Sequence, residues 1–592
     1  MPRSLPQDTV ATVGTAVITA ADLLRRMELM PYPDLAHGGN PEEVKRRSLY
    51  AMLAERVLAN EAKRERLPED ATTQRMRHEL ENLFVRDELF KREIEQKAIP
   101  AESDVYQAVR RFEQELTVEC FLTRTGDDAT ALVRALRKRT PPARRDSIIG
   151  SLATERDTIL IHFDGPDSAF ERAAYGIGAS GVSAPVHSEQ LGWAVLVLLD
   201  VRPSSMAQKM NVVERRDHVV QILKRRIEMQ MQDAYARQVL ATRTARGDTA
   251  VFNLFADSLI ALWRTDPEHF HRDGGYVVTA DMADLLLEEL ADQLDRPLVR
   301  IDDGDVTLGQ FLEMMRYENF VCSAYEGWQA KLELNEEVRH VVGRELLARE
   351  GRRQNLQFST AVQNELSEWT DYWAARQLLY RVRDSVRVTD DEIVSHLVRN
   401  SASFGGSYEV NVREILCKDL ATASVVLSAL NSGKTPAELA PQYSLRAEWA
   451  SRGGESGYFP VREHPELGFR ALMAPPGVLQ GPFKLDGGYS IFTVLGTRRT
   501  KSALTDFATL RRNVEQRLLE ERKRDALNRF IAACAREQQV SVDDAALRKI
   551  HPTMIPMFTR RYMGFGGIMS GAPILMHQWD WYQDFQKANP LP

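Results

Sequence analysis

Three groups of residues in the 592-residue sequence have types and spacings that could do chemistry. His269 and His271, in EHFHRDGG beside Asp273, stand in an H-x-H spacing that could hold a metal on an extended segment. No third ligand is evident, so a polar loop is the expected reading and no metal is predicted. Gly453, Gly454 and Gly457, in GGESG, could cradle a phosphate, but no helix-opening Lys or Ser/Thr follows at the needed spacing, which favours a plain turn. Cys120, Cys322, Cys417 and Cys534 lie far apart with no CxxC spacing, which argues against a zinc site or a dense disulfide framework. Cys120 sits on a strand-like run, where a thiol is a buried, inert side chain before it is a nucleophile. No cofactor is expected from any of these groups.

Composition narrows the function classes. With 77 Lys and Arg against 84 Asp and Glu, the formal charge is −7, and the basic residues are dispersed among acids. No broad field attracts phosphate backbones, so nucleic acid is not an expected partner. The best apolar run, Ala194 to Leu199, is closed by Asp200, well short of the roughly 18 apolar residues a membrane helix needs. The opening MPRSLPQDTV has no apolar h-region, so this form is expected to be cytoplasmic or to have lost a leader. At roughly 150 residues per domain the length suggests about four domains, with ample material for several cores.

A tandem repeat organises the chain. TVGTAVITAADLLRRM from Thr12 is echoed by RIDDGDVTLGQFLEMM from Arg300, an offset of 288. PEEVKRR from Pro41 recurs as NEEVRHV from Asn335, LANEAKRERL from Leu58 as LAREGRRQNL from Leu347, and LTVECFL from Leu116 as VNVREIL from Val410. LGWAVLVLLDVR from Leu191 answers GGYSIFTVLGTR from Gly487, and the offset stays between 288 and 296 throughout. Two copies of a unit of about 290 residues are therefore expected.

Each copy reads alike. A β-like stretch (10–17; 299–306) ends at Thr19 or Thr307, N-cap residue types before an amphipathic helix. Long charged helices follow, at 46–66 and 73–94 in the first copy, with an apolar stripe such as Leu49, Leu53, Val57 and Leu58 that needs a partner face. A mixed α/β segment comes next (116–202; 408–499), and a charged helix closes the copy (211–242; 504–536). Helices from distant segments around compact α/β modules could form a cradle with apolar patches for binding protein.

The segment 408–500 is the most specific. YEVNVREILC, the helix through ATASVVLSALNSGKTPAELAPQYS, GGESGYF at Gly453 to Phe459, GVLQGPF at Gly477 to Phe483 and GGYSIFTVL at Gly487 to Leu495 together resemble a parvulin-type (PpiC) peptidyl-prolyl isomerase domain from end to end. With its helical flanks, the chain resembles the envelope chaperones and foldases that include SurA, PrsA and PpiD. TVATVGTAVITAADLLRRM resembles the opening strand and helix of the N-terminal chaperone domain of that group. The resemblance implies a β-α-β-β parvulin core, unfolded or extended polypeptide clients, and a periplasmic or cell-envelope location. The fold class expected is α+β: a mainly helical, SurA-like scaffold carrying two parvulin-like modules.

The family implies a proline pocket beside a polar cluster with two histidines on adjacent strands. The first lies in a motif resembling RHIL, and here the residues are Arg413, Glu414, Ile415 and Leu416. The second lies in a motif resembling GYHI, and here they are Gly488, Tyr489, Ser490 and Ile491. Glu414, Ser490 and Tyr489 thus occupy the catalytic positions, and losing both imidazoles implies a module without ordinary catalysis. The pocket positions fall at Leu467, Phe469, Phe459 and Phe483. In the first copy Cys120 and Ala194 stand at the two histidine positions and the GG-x-x-GYF landmark is missing, so a degenerate module is expected.

The expected segments are 1–103 and 291–405 (helical chaperone segments), 104–205 and 406–500 (modules), 206–290 (helical connector) and 501–592 (helix and tail). The tail from His551 concentrates Met, Gly and aromatic residues without helical periodicity; it is expected to dock on the protein's own helices, with an internal plug, a partner protein or a membrane surface as alternatives. The leading expectation is a chaperone. The rivals are an active isomerase and a structural subunit that docks on one envelope-assembly partner.

Overall fold

The computed structural model describes residues 8–29, 40–138, 141–165, 168–188, 191–272, 274–318, 320–404, 407–500, 506–553, 560–570 and 572–588. Each copy opens on a short antiparallel hairpin. Thr9–Val13 pairs with Ala16–Thr19, and Pro297–Ile301 with Val306–Thr307. The last threonine of each hairpin caps the next helix in a capping box: the Asp22 N–H donates to Thr19 Oγ1 at 3.1 Å and the Gln310 N–H to Thr307 Oγ1 at 3.2 Å.

The long helices bury the stripe that the sequence displays. The helix expected at 46–66 is Pro41–Arg64, starting earlier because Asn40 caps it and Pro41 presets its first turn. Val44, Leu49, Leu53, Val57 and Leu58 are all buried along it. The next, expected at 73–94, is Ala71–Phe90 and runs on through a single π turn, Lys91–Glu95. Their counterparts are Gly327–Arg353 and Thr360–Asp384. The first helix of each pair ends in the same way. Arg64 donates two bonds to the buried Glu61 at 2.8 and 2.6 Å, as Arg353 does to Glu350 at 2.8 and 2.6 Å. Arg66 and Asn355 then turn the chain at φ of +53° and +60°.

Both α/β segments fold into four-stranded antiparallel sheets of one topology. In the first, Gln114–Thr123 lies between Ala153–His162 and Gly192–Pro203, with Val186–Ser188 on the outer side of the latter. In the second, Tyr408–Cys417 lies between Phe459–Pro460 and Gly488–Arg499, with Leu479–Leu485 outermost. The central ladders shift register at matching points, Thr117/Val118 and Asn411/Val412. The charged closing helices are Val212–Ala241 and Phe507–Glu537.

The chain divides into two compact units that cut across the copies: residues 1–69, 368–559 and 570–592 form one, and 70–367 with 560–569 the other. The first unit holds the head of copy one with the module and closing helix of copy two. Ser541–Val542, just beyond that helix, pairs with the first strand of the chain. In the second unit Ala245–Gly247, just beyond the closing helix of copy one, pairs with the head strand Pro297–Ile301 of copy two. The core of the first unit joins Val10, Leu23, Leu53 and Leu58 to Leu527, Ile531 and Trp581; a core of the second joins Phe255, Trp263, Phe311 and Leu334.

The tail packs on the protein itself. Trp581 is fully buried and its indole N–H donates to the Tyr50 carbonyl at 3.0 Å, while Tyr582 stacks on Tyr50 with ring centroids 3.9 Å apart. Trp581–Ala588 is a helix, which the sequence pattern does not display because eight residues hold barely two periods.

Candidate functional site

Strand pairing brings two of the three catalytic-position residues together. Tyr408–Cys417 and Gly488–Arg499 run antiparallel with Glu414 opposite Phe492 and Leu416 opposite Ser490. Side chains alternate across a sheet, so Val410, Val412, Glu414, Ser490, Phe492 and Val494 share one face. Tyr489 lies on the other face, packed with Ile415, Cys417 and Ile491. It does not join the cluster to which the sequence assigns it.

Glu414 and Ser490 are both 0% exposed. The Ser490 hydroxyl donates to Glu414 Oε1 at 2.6 Å, and Arg446 Nε donates to Glu414 Oε2 at 2.6 Å. Burial pushes the Glu414 carboxyl above the usual glutamate range, with the guanidinium and the two hydrogen bonds opposing. Arg446 spreads over the Trp449 ring, 4.5 Å from its centroid, and reaches both ring nitrogens of His464 at 3.4 Å. Trp449, Phe459 and His464 form an aromatic wall: Trp449 stacks on Phe459 at 5.5 Å, and the His464 ring meets each at 5.4 Å. Burial, with Arg446 beside it, lowers the His464 pKa and favours the neutral imidazole.

The GGESGYF loop holds the Glu414 strand from outside. The Glu414 N–H donates to the Gly454 carbonyl at 2.8 Å, and the Val412 N–H to Ser456 Oγ at 3.0 Å. Gly454 is required there: its φ is +89°, and a Cβ would stand 2.7 Å from the Glu414 carbonyl oxygen. GGESG is a turn zipped onto a strand.

The four pocket positions fare unequally. Leu467 and Phe469 are sealed in the module core and offer a ligand no surface. Phe459 is buried beneath Trp449 and His464. Phe483 alone is half-buried, with the Arg470 guanidinium 4.4 Å from its ring centroid. A proline pocket built from these four side chains is not open.

Chemically, both Glu414 oxygens and the Ser490 hydroxyl are committed to one another and to Arg446. What reaches the surface is the rest of Arg446, whose side chain is 23% exposed, beside a half-buried His464. That pair can donate to a peptide carbonyl or a carboxylate. Sequence reading missed both residues: Arg446 stands in a helix-opening SLRAEWA stretch without a motif of its own, and His464 lies on neither strand that the family resemblance points to.

In the first module Cys120 pairs with Leu196 and Leu122 with Ala194, the register that Glu414 and Ser490 have in the second. Cys120 and Ala194 sit in an apolar cluster with Phe170 and Ala174, and the full-length strand Ala153–His162 stands where the second module has its glycine loop. His271 lies in a two-residue strand, while the His269 side chain and Asp273 lie outside the described residues. Among the described residues no group of three or more His, Cys, Asp or Glu could hold a metal, and no helix is long and apolar enough to cross a membrane.

No family model matches the chain. It is 28% identical over 148 residues to the foldase protein PrsA 1 of Bacillus cereus, covering 24% of this chain and 49% of that protein. It is 28% identical over 162 residues to a parvulin-like PPIase of Rickettsia bellii, covering 27% of this chain and 57% of that protein. The chain thus spans about half the length of the curated relatives it matches. A solved PpiC-type peptidyl-prolyl cis-trans isomerase domain is 28% identical, covering 17% of this chain and 98% of that one, with a TM-score of 0.16. By its sequence relatives the chain is similar to parvulin-type isomerases and PrsA-like foldases.

Proposed function

We propose that the protein is a cell-envelope chaperone, built as a tandem duplication, that binds unfolded or extended polypeptides and in which neither parvulin-like module carries ordinary catalysis. The observation that carries the second half of this reading is the sealed Glu414–Ser490 pair, held from one side by Arg446. Turning an X-Pro bond means crossing an amide-resonance barrier of about 18–20 kcal/mol, and a catalyst must present hydrogen bonds to the twisted amide in a desolvated pocket. Here the groups at the family's catalytic positions are spent on each other beneath the surface. The outward Arg446–His464 pair suits capture of a peptide carbonyl. The relationship to PrsA foldases supports the first half of the reading and the envelope location.

The neutral imidazole of His464 favours one second reading, slow residual isomerisation at the module mouth. An assay on the full chain separates the two. Suppression of aggregation of several unrelated unfolded proteins near one-to-one ratio, with no catalysis of a proline-peptide isomerisation at low ratio, is expected. Catalysis that disappears in His464→Ala would establish the second reading, and protection of no client at all would favour a subunit dedicated to one assembly partner.

A further inference from the structure

The second unit contains a seat whose occupant comes from the far end of the chain. Residues 560–569 belong to this unit. Arg560–Tyr562 and Ile568–Ser570 pair as a small hairpin, closed by the Met563 N–H donating to the Gly567 carbonyl at 3.0 Å. Its turn enters the helix Ala71–Phe90 side-on. The Gly564 N–H donates to Asp87 Oδ1 at 2.9 Å and Arg561 Nη2 to Asp87 Oδ2 at 2.8 Å. Arg561 Nη1 donates to Glu365. Asp87 is buried, and among the described residues its one other cation is Lys91 at 2.7 Å. Phe565 is buried with its ring edge-on to Phe90 at 5.6 Å and stacked on Tyr235 at 5.8 Å.

The fit is close. A Cβ on Gly564 would stand 2.1 Å from Phe90 Cβ, and one on Gly567 would stand 2.7 Å from a Leu83 methyl. The helix loosens into its π turn at Lys91, immediately after Phe90, a deformation that recurs at functional sites. Tyr235 also borders a cavity of about 540 Å³ lined by Gln238, Arg243, Asp303, Glu350 and Arg353, so the seat has room to continue along the closing helix.

We infer that this seat is a polypeptide-binding site selective for a turn carrying arginine and, three and four residues later, glycine and an aromatic residue, and that the C-terminal hairpin holds it in cis until a client segment of that chemistry displaces it. Emptied, it would leave the Asp87 carboxylate buried with Lys91 alone and expose the Phe90 and Tyr235 rings, a costly state that favours refilling. A tethered occupant competes at about millimolar effective concentration, which sets the threshold a client must exceed. The client half of this inference rests on the chaperone reading above; the seat itself does not.

The test replaces residues 560–569 of the full chain by a Gly/Ser linker of equal length and adds a fluorescent peptide of sequence TRRYMGFGGIMS. Saturable binding is expected, at least tenfold weaker to the unaltered chain, and lost when the peptide's Arg561 or Phe565 equivalent is alanine or when Asp87→Ala is added. A linker variant that melts cooperatively yet binds no peptide, or equal binding by the unaltered chain, overturns the inference. If the linker variant does not fold, Gly564→Val in the intact chain levers out the turn and is read by the same peptide. Aggregation protection then addresses the clients. Protection at a lower ratio by the opened chain supports client entry, and unchanged protection overturns it. Protection by neither form defeats the chaperone reading while leaving the peptide result standing.

Discussion

At the scale of single residues, the second module holds a buried carboxylate, Glu414, ion-paired with Arg446 and with the Ser490 hydroxyl attached. Such a pair holds only while both partners remain. Arg446→Leu leaves a buried Glu414 with Ser490 alone and is expected to destabilise the module by about 3–5 kcal/mol. Adding Glu414→Met should recover much of that loss, because a pair of well-packed apolar side chains avoids the desolvation that the ions suffer. Amide hydrogen exchange along Tyr408–Cys417 in the full chain reads both effects. Protection in the single variant equal to that of the unaltered chain would mean that the cluster contributes nothing to the sheet. The sequence could mark Glu414 and Ser490 because strand motifs flank them, and pairing then joins them. Arg446 and His464 were invisible because each stands just before a short helix, Ala447–Ala450 and Pro465–Met473, whose approach to the sheet is set by tertiary packing of Trp449 and Phe459. The alternation rule could have excluded Tyr489 beforehand, since adjacent residues on one strand face opposite ways.

Helices and strands were legible where periodicity is long and illegible where caps or partners decide. The stripe along Pro41–Arg64 and the two central strands of each module follow from their apolar spacing. The early start at Asn40–Pro41 is a capping effect, and the long edge strand Ala153–His162 carries Thr, Glu, Arg and Asp in place of an apolar alternation. The helix Ala71–Phe90 adds a titration to its packing. Glu79 lies on it beside Glu345, with Arg86, Arg352 and Asn82 opposing, and burial followed by the Glu345 charge lifts its pKa from 4.5 to about 7. The folded chain therefore keeps a proton there that the unfolded chain has released. The stabilisation is present at low pH and is lost as pH rises from 4.5 through about 7. The total is at most about 3–4 kcal/mol. Urea midpoints for the second unit should fall across that window, and Glu79→Gln should flatten the slope. A midpoint that instead rises with pH in the unaltered chain would contradict the assignment.

For the whole molecule, the repeat in the sequence announces two copies but not which tail serves which head. Both tails carry the same chemistry: Asp248 and Asp543 each cap a helix, and each donates its N–H to a head strand, to the Leu298 carbonyl at 2.9 Å and the Val10 carbonyl at 2.9 Å. Since either head could accept either tail, local pattern leaves the pairing open and only the fold decides it. The tail of copy one closes the head of copy two, and the tail of copy two closes the head of copy one. Residues 1–69 therefore lack a complete core of their own; Val10, Leu23, Leu53 and Leu58 are buried against Leu527, Ile531 and Trp581. A protease site inserted between Pro68 and Glu69 tests this exchange. After cutting, the N-terminal fragment is expected to stay with the rest of the chain through native gel filtration and to leave only in denaturant that unfolds the first unit. Its release as a folded piece under native conditions would show a self-sufficient head. Retention would mean that the two halves of the chain are interlocked, so that neither can be lost without unmaking a head of the other.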